Sequence, residues 1–479
     1  MSKYFKAFLT ISPLILLVFN NCSGQDIDAS ITIRDSASPV AEVSGRFISP
    51  QTDRHFSILR EFAGFAGLAE RISDVRLENS DGKTVAFKQF VPGEYVADAE
   101  FTAWHYRIDL APAKRPQASG HTSWLAEGIG SLFLRDLLPI LKKGSKGRVA
   151  IELPSGWTSS KGAGRFTADD VDATILLIGK DLRPLTVTSA GIELKIFIAG
   201  KWQFQDDQLA AFASEIMRSY NKRLGTLPVR RVEMLYVPFP QPSSLGAWEG
   251  DTRGNTVVIV SSDMPFQTQS VQRLHEQLRH ELFHLWFPNS VSLTGNYDWF
   301  YEGFALYESL KLGVALNRLR FDDFLDTLGR AITIDSMLTD RRSLIEASKT
   351  RAGVADTTVY ARGMLAAFLT DLELLKSSGG KENVSTLLRS IFKKYNSATV
   401  ETDANTAILA ALALPKVTRF VNSGESIHWA NELGPVGIEV SGQPGLTNLK
   451  VTTRRSSSQK KLLDKLGYNN WRRSPLIPK

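Results

Sequence analysis

The run His280-Glu281-Leu282-Phe283-His284 decides how this 479-residue chain is read. On a helix, side chains four apart lie on one face, one turn apart, so both imidazoles can reach a single metal ion. Glu281, beside the first histidine, can hold a water there and take its proton. Zinc accepts nitrogen and oxygen ligands, and a catalytic site leaves one position open. A competing frame, His275-Glu276, precedes His280. Five residues are about 500° of helix, which throws those side chains apart, so His275 reads as a polar surface residue.

Eighteen residues after His284 comes Glu302, in Trp299-Phe300-Tyr301-Glu302-Gly303-Phe304-Ala305, at the start of a helical stretch running to Leu312. A carboxylate there completes a two-His, one-Glu set for one Zn2+ ion. The bland alternative is an acidic residue favoured by the dipole at a helix N-terminus. Glu308, six residues on, faces away from Glu302 and reads as a surface or supporting residue.

The residues from His280 to Glu308 resemble the zinc-binding region of gluzincin metallopeptidases, above all the aminopeptidase N and leukotriene A4 hydrolase group. Trp286, Phe287 and Asn289 match that group's pattern, as do Glu302-Gly303-Phe304-Ala305. Pro288 stands in place of its Gly and Tyr301 in place of its Asn, with the ligands intact. Downstream, Tyr360-Ala361-Arg362-Gly363, Leu369 to Glu373, Phe420-Val421, Gly424-Glu425 and Leu433-Gly434 resemble the glycyl aminopeptidase family. Val91 to Tyr95 and Trp104 are similar to that family's β-rich N-terminal domain. The resemblance spans about residues 80 to 440 and is most specific from 245 to 375.

The resemblance implies two further roles. Tyr360 becomes the hydroxyl that stabilises the oxyanion; its bland alternative is a half-buried helix tyrosine. Gly246-Ala247-Trp248-Glu249-Gly250 matches the exopeptidase motif, in which Glu249 holds the substrate's free amino group beside Gly246 and Ala247. Trp248 and Gly250 depart from the family's versions, and the bland alternative for Glu249 is a loop carboxylate on a Gly-rich turn. The residues after Val440 are too few for the PDZ module that the second family often carries.

The rest of the chain sets the frame. One cysteine excludes an intramolecular disulfide and any multi-cysteine metal site. Lys3 and Lys6, then the apolar Phe8 to Phe19, read as a signal peptide over residues 1–25. Cys22 just beyond reads as the lipidated residue of a lipoprotein, a membrane anchor; the alternative is an ordinary cleaved signal with an incidental cysteine. Both place the mature protein outside the cytoplasm, in the periplasm or at the cell surface. No later segment is apolar enough to span a membrane.

Residues 26–200 read as a β-rich domain of short runs broken by turn residues, with Ile192, Leu194, Ile196 and Ile198 alternating at period two. Within it, Trp124 to Leu141 looks helical or buried. Residues 201–440 read as a thermolysin-like, largely helical domain, so the fold class is α+β. It opens on a helix that Asp206 can cap, with strand candidates at Val232–Val237 and Thr256–Val260. The formal charge of +7 sits in the tail 441–479, where nine basic residues meet Asp464 alone. The tail reads as solvated, or as attracted to an anionic surface. The remaining chain is near neutral, which argues against nucleic acid as a partner.

The expected function is a zinc-dependent peptide-bond hydrolase, an exported aminopeptidase acting on peptides or proteins with Glu281 as base toward a metal-activated water. The alternatives are a zinc endopeptidase and a surface-binding protein on a retired peptidase scaffold. Nothing in the sequence sets an oligomeric state.

Overall fold

The computed structural model describes residues 26–34, 39–51, 54–350, 354–443 and 445–470. The signal segment with Cys22, and the end of the basic tail, lie outside the described residues.

Alternation builds the first unit. In Ile27–Thr32, Ile27, Ala29 and Ile31 are buried while the residues between them are partly exposed, as a half-buried strand requires. This strand pairs parallel with Gly147–Glu152 and antiparallel with Val40–Gln51 in a seven-stranded sheet. Its inner face carries Phe101, Trp104 and Tyr106, which meet Phe56 from a three-stranded sheet folded over it. Truncating one such buried aromatic to Ala costs about 3–5 kcal/mol.

A four-stranded sheet joins this unit to the next. The segment Trp124–Leu141 is buried, but it consists mainly of the strands Trp124–Ala126 and Ile129–Phe133, with only a four-residue helix, Leu134–Leu137. The reason is local: Glu127 (φ 48°) and Gly128 (φ 80°) form a two-residue turn, and two left-handed residues in succession close a hairpin. Trp124, Phe133, Ile175 and Leu177 of this sheet pack on Phe197, Leu235, Val237, Val258 and Val260.

Those last residues belong to a five-stranded sheet in the order Arg183–Ser189, Ile192–Ile198, Arg231–Pro238, Thr256–Ser261, Trp248–Arg253. Three parallel neighbours form its middle and an antiparallel strand lies at each edge. Thr256–Ser261 is buried throughout, as befits a strand covered on both faces. The alternating run 192–198 therefore pairs into the same sheet as Arg231–Pro238 and Thr256–Ser261. Asp206 is the first residue of the helix Asp206–Leu224, not its cap. Gln205 precedes it, with its N–H donated to Gln208 Oε1 (2.9 Å), and Asp206 pairs with Arg183.

Below the sheet lie Asp206–Leu224 and Gln267–Phe283, followed by Asp298–Ala315, Phe321–Met337 and Val354–Ser377. Where the sequence reads as a solvated tail, the strands Ile438–Gln443 and Leu446–Val451 form a hairpin and Ser457–Leu466 a helix. Leu449, Leu462, Leu463 and Leu466 bury themselves in the large core, so the lysines line the outer side of an ordered element. Among the described residues, no helix is long and apolar enough to cross a membrane.

Candidate active site

Two helices and one strand edge make the site. His280 and His284 lie in the last turn and at the C-cap of Gln267–Phe283, and Glu302 in the first turns of Asp298–Ala315. All three are buried. His280 Nε2 stands 3.2 Å from His284 Nε2, and Glu302 Oε2 is 3.3 and 3.5 Å from the two nitrogens. A tetrahedral ion with bonds of about 2.0–2.1 Å holds its ligand atoms roughly 3.3–3.4 Å apart. The three atoms thus form one face of a zinc tetrahedron. His284 Nδ1 lies 3.0 Å from the carbonyl oxygen of Phe287, which turns Nε2 toward that face.

His280, Glu281 and His284 also form a compact group, within 4.8 Å of one another. Glu281 fits the base better than the ligand: its Oε1 is 3.9 Å from His280 Nε2 and its Oε2 accepts from Thr252 Oγ1 at 3.0 Å.

The charges follow from burial and proximity. Burial raises Glu281 above the usual carboxylate range against the pull of His280 and His284. Burial would also raise Glu302, yet His284 and His280 hold it well below that range. Burial lowers His284, but the Glu302 carboxylate overrides it and lifts the imidazole to about 9. Three ionisable groups held this close are the electrostatic counterpart of a cation site.

The edge strand Trp248–Arg253 lies over the first helix, and its side chains alternate. Trp248, Gly250 and Thr252 face the helix: the Trp248 ring is 5.6 Å from that of His280, Gly250 lies against Glu281, and Thr252 bonds to it. Glu249, Asp251 and Arg253 face the N-terminal unit. A Cβ on Gly120 would come 2.8 Å from that of Glu249. His121 Nδ1 is 3.2 Å from Asp251 Oδ2, and the Arg253 guanidinium lies 4.3 Å from the Phe62 ring. Asn289 ties strand to helix, donating from Nδ2 to the carbonyls of Thr252 (2.7 Å) and His284 (2.9 Å). Gly246, at φ 70°, and Ala247 precede the strand, with Gly246 beside Met264 and Arg273.

Tyr360 is half-buried on Val354–Ser377. One turn on, Gly363 packs backbone to backbone against Gly303, the residue after Glu302, and only two glycines permit so close a crossing. That contact fixes the helix bearing Tyr360 against the helix bearing Glu302.

Residues 212–423 match the peptidase family M1 domain. The second unit therefore contains a peptidase family M1 domain. The M1 assignment makes the chain a zinc metallopeptidase that resembles aminopeptidase N. The fold is similar to that of an aminopeptidase N family protein from Idiomarina loihiensis, at 16% identity and TM-score 0.74 over 87% of this chain and 79% of that one. It is also similar to an M1 zinc metallopeptidase from Deinococcus radiodurans, at 14% identity and TM-score 0.56 over 84% and 94% of the two chains. A mutant of that protein bound to a Tyr-Ser-Ala substrate gives 16% identity and TM-score 0.54 over the same shares. No curated protein sequence matches the chain.

One sequence expectation needs correction here. His275 is not at the surface: it is buried between Arg279, Glu215 and Phe212, and burial pushes it down to about 3, so it stays neutral. Of the two roles open to Glu308, surface or support, the structure shows the second: it is fully buried and bonds to Arg223 Nη1 (3.1 Å) and Ser385 Oγ (2.8 Å). Thr252 and the His121–Asp251–Arg253 cluster are additions that the motifs did not single out, and Asn289, matched by its motif, proves to tie strand to helix. A glycine inside a strand pattern, Gly250, was the one signal pointing there, because it marks a close backbone approach.

Proposed function

We propose that this M1 metallopeptidase is an exported aminopeptidase, with Glu281, Tyr360 and Glu249 acting as base, oxyanion donor and amine anchor. His280, His284 and Glu302 fit a zinc ion, which when bound supplies Lewis-acid polarisation of the scissile carbonyl and of water. Glu281, kept off the metal by Thr252, takes the proton of the attacking water and passes it to the leaving amine. The Tyr360 hydroxyl donates to the carbonyl oxygen as its negative charge develops.

One observation carries the exopeptidase reading. From Glu249 to Gly254 the strand edge is walled by Gly120, His121, Phe62 and Asn289, so a peptide lying along it ends there. A carboxylate at a blind end suits a terminal ammonium. The test is acetylation: peptides with a free N-terminus should be cleaved and their N-acetyl forms should not. Equal cleavage of both favours the endopeptidase.

Export rests on the leader, residues 1–25, and membrane attachment on lipidation of Cys22. Replacing Cys22 by Ser should release the protein from membranes while leaving it outside the cytoplasm.

A further inference from the structure

The strand edge that is walled beyond Glu249 is open in the other direction. Leu245, just before Gly246, is 74% exposed, and Phe266, just before the first site helix, is 67% exposed. These are among the most exposed large apolar side chains of the described residues. They flank one contact: a Cβ on Gly246 would come 2.9 Å from Met264 Sδ. The hydrogen bond Ala247 N to Ser244 O (3.0 Å) closes the turn carrying Leu245, and Ser262 N to Ala247 O (2.9 Å) ties that turn to the loop carrying Met264.

The distance to the metal ligands follows from the helix. Leu245 stands in the turn just before the edge strand, whose first residue, Trp248, lies beside the His280 ring, and Arg273 beneath Gly246 is seven helix residues before His280. At 1.5 Å per helix residue, that separation is about 10 Å. An extended peptide whose first carbonyl sits at the metal reaches that far with its third and fourth residues. The charged neighbour, Arg273, is already paired with Glu276 at 2.9 Å, so the rim is apolar in effect.

We propose that Leu245, Met264 and Phe266 form an apolar shelf that binds the third and fourth residues of the peptide substrate and selects for apolar side chains there. The proposal rests on the aminopeptidase reading for the direction in which the peptide runs. Continuity with the walled groove names the occupant: the substrate's downstream residues leave by the open end. Isolated exposed apolar side chains are ordinary; two of them at the mouth of the substrate groove, on loops joined by a backbone hydrogen bond, make a surface a peptide must cross.

The test uses zinc-loaded wild type and the double variant Leu245→Ser, Phe266→Ser. Both sites are exposed, and serine suits Phe266, which stands at a helix N-cap. Two tetrapeptides sharing their first two residues end in Phe-Leu or Asp-Ser; each is assayed free and N-acetylated, beside an aminoacyl anilide. Wild type should favour Phe-Leu by roughly 5–20-fold in kcat/KM, the variant should lose that preference, and anilide hydrolysis should be unchanged. Anilide and free peptides cleaved with no preference in wild type, or an undiminished preference in the variant, overturns the shelf while the aminopeptidase stands. A preference seen only on acetylated peptides, and lost in the variant, keeps the shelf and overturns the aminopeptidase. No cleavage of any substrate overturns both.

Discussion

Gly250 on the edge strand lies directly against the carboxylate of Glu281: a single methyl group at residue 250 would overlap it. The substrate-side strand and the proposed base are therefore in van der Waals contact, with the Thr252 hydroxyl completing the grip. Here the glycine lets the strand settle on Glu281, and Trp248 covers His280 from the same side.

Gly250→Ala should displace Glu281 without touching a zinc ligand. A misplacement near 1 Å can cost about 100-fold in rate. The expected result is a fall of that order in kcat with unchanged zinc content, read by steady-state kinetics and metal analysis. Full activity in the variant would show that the contact does not position the base.

Glu302 and Glu308 share a helix but differ in consequence. Glu302→Gln should abolish stoichiometric zinc. Glu308→Gln should keep zinc but lower thermal stability, because the Arg223 charge beside it loses its partner, an effect of about 3–5 kcal/mol for a broken buried pair. Metal analysis with calorimetry checks both; zinc loss from the Glu308 variant alone would reverse the ligand assignment.

Asp251 links the edge strand to the N-terminal unit. Burial works against its charge, but Arg253 and His121 hold it well below the usual carboxylate range. A carboxylate with a depressed folded value contributes stability above its unfolded value, near 4, and loses it as pH falls toward the folded value. Asp251→Asn should therefore destabilise the protein at neutral pH and flatten the acid side of the stability curve below about pH 4. Denaturation at stepped pH measures this; an unchanged acid slope contradicts it.

Tyr360→Phe should lower kcat by roughly 100- to 1,000-fold, the usual scale for removing an oxyanion donor, with KM and zinc content little changed. A drop confined to KM would make Tyr360 a binding residue instead.

What was legible in the sequence was what is local. His280, Glu281 and His284 obey the 3.6-residue period of one helix, so their spacing alone states which way they point. The strand 192–198 was equally visible from its alternation, though not the sheet it joins. His275 was misread, and Glu308 left open between surface and support, because a helical period tells faces apart but not which faces another helix covers; Asp206–Leu224 covers the first, and Arg223 with Ser385 closes over the second. The tail was misread because nine basic residues outweigh six leucines in any composition count, while four of those leucines decide the packing. Gly250 on Glu281 and Gly363 on Gly303 are contacts between elements distant in the chain, and no single-strand or single-helix pattern carries them.

The most direct test compares wild type with Glu281→Gln, measuring bound zinc and hydrolysis of a peptide with a free N-terminus on the same preparations. Glutamine keeps the shape and the Thr252 hydrogen bond but cannot accept the proton. The account predicts about one zinc per chain in both proteins and a loss of at least about 1,000-fold in kcat for the variant. Wild type without zinc, or equal hydrolysis by two zinc-loaded proteins, would contradict it.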